Sequence, residues 1–140
     1  RRRLTLTMGM AMMGGAMMGR GVRGGMGGMG SGAPFGINGR AFDMERIDQE
    51  VRLGDAEIWE VSGEMMAHPF HMHGVHFEVL RRGGAVAGVR DQGLRDTVLV
   101  EEPVELLVRF RHPSGGSPFM HHCHILEHED NGMMGQFTVS

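Results

Sequence analysis

The sequence predicts an all-β domain, a sandwich or a barrel. Two observations carry this expectation. Short runs of alternating polar and apolar residues recur about every ten residues between turn signals, and no sustained helical periodicity is present. The chain of 140 residues is the length of one domain with one modest core.

The elements follow in order. Leu4 and Leu6 alternate with Thr5 and Thr7, which predicts an opening strand. Arg1-Arg2-Arg3 followed by Met and Ala has the outline of an export signal. Gly9, Gly14 and Gly15 break its apolar region, however, and no small-residue cleavage pattern closes it. Residues 8–34 are of low complexity, with eight methionines among many glycines. Glycine raises the entropy cost of ordering, and little periodic apolar surface offsets it, so a flexible insertion is expected after the first strand. The Met pairs at 12–13 and 17–18 can line one face of a short helix.

From Phe35 the composition becomes ordinary. Ile37-Asn38-Gly39 is a turn signal, followed by Phe42-Asp43-Met44 and by Glu50 to Gly54. Glu57–Ser62 alternates as a half-buried strand, with Trp59 a core aromatic. Val75–Leu80 is a further strand, ended by Arg81-Arg82-Gly83-Gly84. Asp96–Glu101 and Val104–Arg111 follow, separated by a turn at Pro103, and residues 112–118 are a loop by composition. Phe119–His124 and Gln136–Val139 are the last two strands.

Composition narrows the chemistry. A formal charge of −3 and a pI near 6.3 point to neither nucleic acid nor a membrane surface, and no apolar run is long enough to span a bilayer. The single cysteine forms no internal disulfide framework. Against no Tyr and one Trp stand 24 Gly, 15 Met and 9 His. Methionine is a soft ligand for Cu(I) and imidazole accepts either copper state, so this composition points to copper. The methionines of 8–34 are then either incidental to a loop or a thioether-rich flap that captures or passes Cu(I).

Two runs hold the candidate ligands. In Met120–Met133 the only cysteine, Cys123, stands between His122 and His124 and is followed by His128 and Met133. Thiolate, imidazole and thioether at Cys-x4-His-x4-Met spacing are three of the ligands of a blue-copper site. Side chains alternate on an extended segment, so Cys123 faces one way and its two flanking histidines the other. In His68-Pro-Phe-His-Met-His-Gly74, His71 and His73 share a face, while His68 has the opposite parity and can join Cys123 and His128. The count is one closed His2Cys site with a weak axial Met, and four imidazoles for a second, open cluster. His76, His112 and His121 have no role in this scheme, and His112 is expected to be solvated beside Pro113.

These two runs resemble the C-terminal copper signatures of multicopper oxidases, and nearly the whole chain resembles the last cupredoxin domain of that family. The Met-rich segment, the run from Ile37 to Met44 and Glu-His-Glu-Asp-x-Gly-Met-Met at 127–134 resemble its bacterial copper-efflux (cuprous oxidase) branch. The resemblance implies a Greek-key cupredoxin β-sandwich over residues 1–140, with the insertion at 8–34 and the main sandwich at 35–140. It implies that His68, Cys123, His128 and Met133 hold a type 1 copper, His71 the type 2 copper, and His73, His122 and His124 the type 3 pair. Glu64 and Met66 match positions that hold a substrate copper, with Glu64 standing where the family carries Asp. Glu129 matches an acidic residue that relays protons. The implied activity is oxidation of Cu(I), with electrons passed through Cys123 to a trinuclear cluster that reduces dioxygen to water, for copper tolerance in the periplasm. A laccase-type oxidase of phenols and a stand-alone blue-copper electron carrier are the alternatives.

Cu(I) gives up one electron and dioxygen takes four, so a covalent path from Cys123 to its two neighbours suits the task. The family's cluster takes eight histidines, whereas this chain offers four, and it contains no further His-x-His pair. The chain alone is therefore expected not to reduce dioxygen. The other ligands are expected from N-terminal cupredoxin domains, on the same or a separate chain. A sequence opening on Arg1 rather than methionine favours a piece of a longer polypeptide.

Overall fold

A computed structural model describes residues 1–8, 35–125, 128 and 132–140. Apart from Met8, the Met/Gly-rich insertion lies outside the described residues, including the helix expected near the pairs at 12–13 and 17–18.

The described residues form a two-sheet Greek-key sandwich. The strands are β1 (Arg2–Met8), β2 (Phe35–Ile37), β3 (Gln49–Val51), β4 (Ala56–Gly63), β5 (His68–Met72) and β6 (Phe77–Arg82). They continue with β7 (Ala85–Val86), β8 (Thr97–Val100), β9 (Val104–Arg109), β10 (Phe119–Cys123) and β11 (Met134–Val139). One sheet has the order β2-β1-β4-β9-β6-β7 and the other β3-β11-β10-β5-β8. The chain changes sheet at every connection from β2 to β6 and again at every connection from β7 to β10. The residues at 63–76 and 119–124 are thereby brought to adjoining positions.

Alternation in the sequence becomes sidedness in the sheets. Trp59 and Val61 of β4 are both fully buried, as are Val104, Leu106 and Val108 of β9 opposite. Trp59 packs edge-on against Phe137 at 5.9 Å between ring centroids, and against Phe110 at 6.1 Å. The expected core aromatic is therefore at the centre of the core. On β5 the pattern continues, with His68, Phe70 and Met72 facing in and Pro69 and His71 facing away.

Several strands differ from expectation at their ends. The strand expected from Val75 begins at Phe77, which exchanges backbone hydrogen bonds with Arg95. It then runs on through Arg81 and Arg82 to a two-residue hairpin at Gly83 and Gly84, both at positive φ as such a turn requires. Arg82 stays in the strand because its guanidinium has partners. It donates to both carboxylate oxygens of Asp91 at 2.8 and 3.0 Å and to the carbonyl of Leu99 on the other sheet at 2.8 Å. β2, β3 and β7 have three residues or fewer, too short to show a period.

The Arg82 guanidinium holds the Asp91 carboxyl below its ordinary range; Asp91 is buried and Arg82 half-buried. Asp91→Ala is expected to cost about 1.5–3 kcal/mol, because it removes two charge-assisted hydrogen bonds while Arg82 keeps Glu102 and the Leu99 carbonyl as partners. The pKa is depressed in the folded state. The contribution is therefore present above the unfolded carboxylate pKa and is lost as pH falls through the folded value. Acid titration of Asp91→Asn against wild type, followed by circular dichroism, checks the sign: the variant is less stable at neutral pH and loses less on acidification.

Candidate metal centre

The first cluster lies inside the sandwich end. β10 pairs with β5 so that Cys123 stands opposite Phe70 and His122 opposite His71. Cys123, His68 and His128 are all buried. The sulfur lies 3.6 Å from His68 Nδ1 and 3.5 Å from His128 Nδ1. The loop carrying the third ligand folds back on itself, with Cys123 N–H donating to Met133 O and Met133 N–H to His128 O. Met133 is fully buried, and the His128 ring stacks on Phe35 at 4.8 Å.

The His68 ring has a fixed tautomer. Its Nε2 lies 2.9 Å from the carbonyl of Glu64, which can only accept, so Nε2 carries the proton. Nδ1 is left with a lone pair directed at sulfur. A donor set of one thiol and two imidazoles, with an apolar thioether residue beside it, suits copper. A trigonal metal with bonds of about 2.3 Å to sulfur and about 2.0 Å to nitrogen separates those donors by about 3.7 Å. The observed separations fit such an ion.

The second cluster lies on the opposite face. His71, His73 and His122 offer nitrogens within 4.8 Å of one another. His73 Nε2 and His122 Nε2 are 3.1 Å apart. The His124 ring lies 5.4 Å from those of both His71 and His122. Here the tautomers are reversed. His122 Nδ1–H donates to the Cys123 carbonyl at 3.1 Å. His71 Nδ1–H meets the carbonyl of Asp96 at 3.0 Å and the hydroxyl of Thr97 at 2.9 Å. Both rings therefore present Nε2. The cluster borders an open cavity of about 660 Å³ lined by His71, His73, His76, Asp96, Arg111 and His112, among others.

The structure thus brings His68, Cys123 and His128 together on one side, and His71, His73, His122 and His124 together on the other. Glu64 directs its backbone carbonyl at His68, while its carboxylate accepts the Met8 amide at 3.1 Å. Met66 is exposed nearby. Glu129 lies outside the described residues. His112 and His76 are exposed. His121 is fully buried, against Trp59, Phe70 and Phe137, with Nε2 at 2.7 Å from Gln49. Burial lowers its pKa to about 4, so it is a neutral core residue. Sequence reasoning missed the partners that fix these rings, namely the Glu64 and Asp96 carbonyls and Thr97. Carbonyls leave no mark in a sequence, and a strand threonine is unremarkable.

Residues 10–140 match the family model described as multicopper oxidase. A multicopper oxidase of Staphylococcus haemolyticus is 40% identical over 109 residues, which are 74% of this chain and 24% of that protein. A laccase-like multi-copper oxidase, CueO, from Ochrobactrum sp. superposes with a TM-score of 0.80 at 38% identity, covering 100% of this chain and 30% of the other. A multicopper oxidase of Campylobacter jejuni described as a metallo-oxidase superposes at 0.75 with 34% identity, covering 99% of this chain and 30% of the other. The chain spans about a quarter of the length of the curated relatives it matches (24%).

Proposed function

The chain belongs to the multicopper oxidase family, and on that premise we propose that it is the type 1 copper domain of a cuprous oxidase. The whole enzyme oxidises Cu(I) to Cu(II) and passes the electrons by way of Cys123 to a trinuclear cluster, where dioxygen and protons become water. Its role is copper tolerance, and its place is the periplasm. The observation that carries the reading is the tripeptide His122-Cys123-His124, whose sulfur faces one donor group while its flanking rings face another.

His68, Cys123, His128 and Met133 would hold the type 1 copper, His71 the type 2 copper, and His73, His122 and His124 the type 3 pair. Copper in these sites supplies one-electron redox chemistry. The residues supply the rest. Glu64 and the β10 backbone orient the imidazoles, and the buried walls exclude water from the sulfur. The covalent link from Cys123 to its neighbours joins the two groups without rearrangement. Glu129 would relay protons to the open side. That open side, where His71 and His73 border a cavity, supports completion by N-terminal cupredoxin domains bearing the other ligands.

Cu(I) is favoured as substrate by what lies outside His68. Glu64 and the exposed Met66, in the turn whose Glu64 carbonyl meets that ring, offer a carboxylate and a thioether, and the Met-rich run at 8–34 adds further thioethers in sequence. The metallo-oxidase of Campylobacter jejuni is a relative in keeping with this. The laccase-like enzyme of Ochrobactrum sp. supports the second reading, oxidation of phenols. Met66→Ala in the full-length enzyme separates them. For a cuprous oxidase, kcat/KM for Cu(I) falls about tenfold, ~1.4 kcal/mol, and turnover of a phenol is unchanged. Replacing residues 9–34 by a short Gly/Ser linker, which keeps Met8 and its bond to Glu64, should likewise hinder Cu(I) and admit bulky phenols. Equal loss toward both substrates would refute the cuprous assignment. An isolated chain that is intensely blue, from a protein with no oxidase activity at all, would instead mark an electron carrier.

A further inference from the structure

Between β4 and β5 the chain reverses over residues 63–67, and three features of the reversal converge on one imidazole. A Cβ on Gly63 would stand 2.4 Å from Cδ2 of His68 and 3.3 Å from its Nε2. The Glu64 carbonyl accepts both His68 Nε2–H, at 2.9 Å, and Met66 N–H, at 2.8 Å. The second of these bonds closes a three-residue turn around Met65, whose φ is +70°. A turn of that kind is the rare, strained form of the γ-turn.

Nothing in the packing of Met65 explains why a non-glycine residue is held there, since its side chain is largely exposed. What holds the turn is Glu64. Its amide donates to Leu6 O at 2.9 Å, and its Oε1 accepts the Met8 amide at 3.1 Å. Anchored to β1 on one side, Glu64 has only one direction in which to offer its carbonyl, and that direction is the buried ring. The ring is fully enclosed and engaged at both nitrogens, so it cannot yield to a methyl group at position 63.

We propose that Gly63, Glu64 and Met65 are positioning residues for His68. The strained turn aims the Glu64 carbonyl at Nε2, and the bare backbone at Gly63 leaves the ring its place, so that Nδ1 alone faces the Cys123 sulfur. This rests on the assignment of His68 as a ligand of the blue copper. Strain of this kind persists where the surroundings over-determine a conformation, and it gathers at sites that need one geometry. Outer partners of metal-bound histidines set both tautomer and orientation.

The test varies the tolerance of position 65 for positive φ while leaving the ligands intact. In the copper-loaded full-length protein, Met65→Gly and Met65→Asn keep the wild-type blue band and copper hyperfine splitting. Met65→Val, whose branched side chain rejects positive φ, moves the band and weakens copper retention at that site about tenfold or more. Gly63→Ala does the same. In the metal-free protein, long-range proton–nitrogen NMR finds His68 as the Nε2–H tautomer in wild type and in Met65→Gly, and as a mixture in Met65→Val and Gly63→Ala. Wild-type band, retention and tautomer in all four variants would overturn the proposal. A wild-type protein that takes up copper without a blue band would overturn the ligand assignment instead, while the tautomer measurement still decides what the turn does.

Discussion

Cys123→Ser removes the intense blue absorption of the copper-loaded protein and cuts electron entry from substrate by at least about a thousandfold, ~4 kcal/mol of barrier. The absorption belongs to a copper–thiolate bond, and a serine hydroxyl does not supply one. The sulfur also belongs to a residue placed between the two sides. It sits 3.5–3.6 Å from two buried imidazole nitrogens, and its own residue flanks two rings of the other group. The fold survives, because β10 keeps its pairing with β5 and β11, and one sulfur-to-oxygen change at the strand end costs a few kcal/mol at most. Visible absorption beside far-ultraviolet circular dichroism separates the two effects. Retained colour in a folded variant would contradict the role given to Cys123.

His71→Ala should do the reverse. Its ring is on the far side of β5 from Phe70 and the sulfur, and its Nδ1–H is already committed to Asp96 and Thr97. The variant keeps the blue band, while oxygen reduction by the complete enzyme falls about a hundredfold or more, as loss of a metal ligand or its outer partner entails. Single-turnover reduction by substrate is unchanged, and reoxidation by dioxygen is the step that fails. Loss of the blue band in His71→Ala would mean that the two faces are the wrong way round.

Much of this was legible in the sequence for one physical reason. A two-residue period is strict on a strand, so His71, His73, His122 and His124 could be sorted from His68 and Cys123 by parity alone. The same alternation made Trp59 a core aromatic, and in the structure Val61 shares its buried face. What escaped was of two kinds. Strand ends moved where a side chain found a partner from another element. Arg82 is the example, kept in β6 by Asp91 and by the Leu99 carbonyl across the sandwich. The ring-orienting contacts also escaped, because they run to backbone carbonyls whose direction depends on the turn. Glu64 illustrates this best, singled out in the sequence for its carboxylate yet directing its carbonyl at His68 in the structure. His121 shows the limit of motif reading, since it lies in the densest histidine run and is nonetheless a neutral core residue between aromatic rings.

The most direct measurement is the visible and electron paramagnetic resonance spectrum of the copper-loaded 140-residue chain, taken with its copper stoichiometry. An intense blue band with narrow hyperfine splitting, from one tightly held copper that disappears with Cys123→Ser and persists with His71→Ala, is the expected result. A chain that binds copper with no such band, or whose band depends on His71, would contradict the placement of sulfur and flanking rings at two different metals.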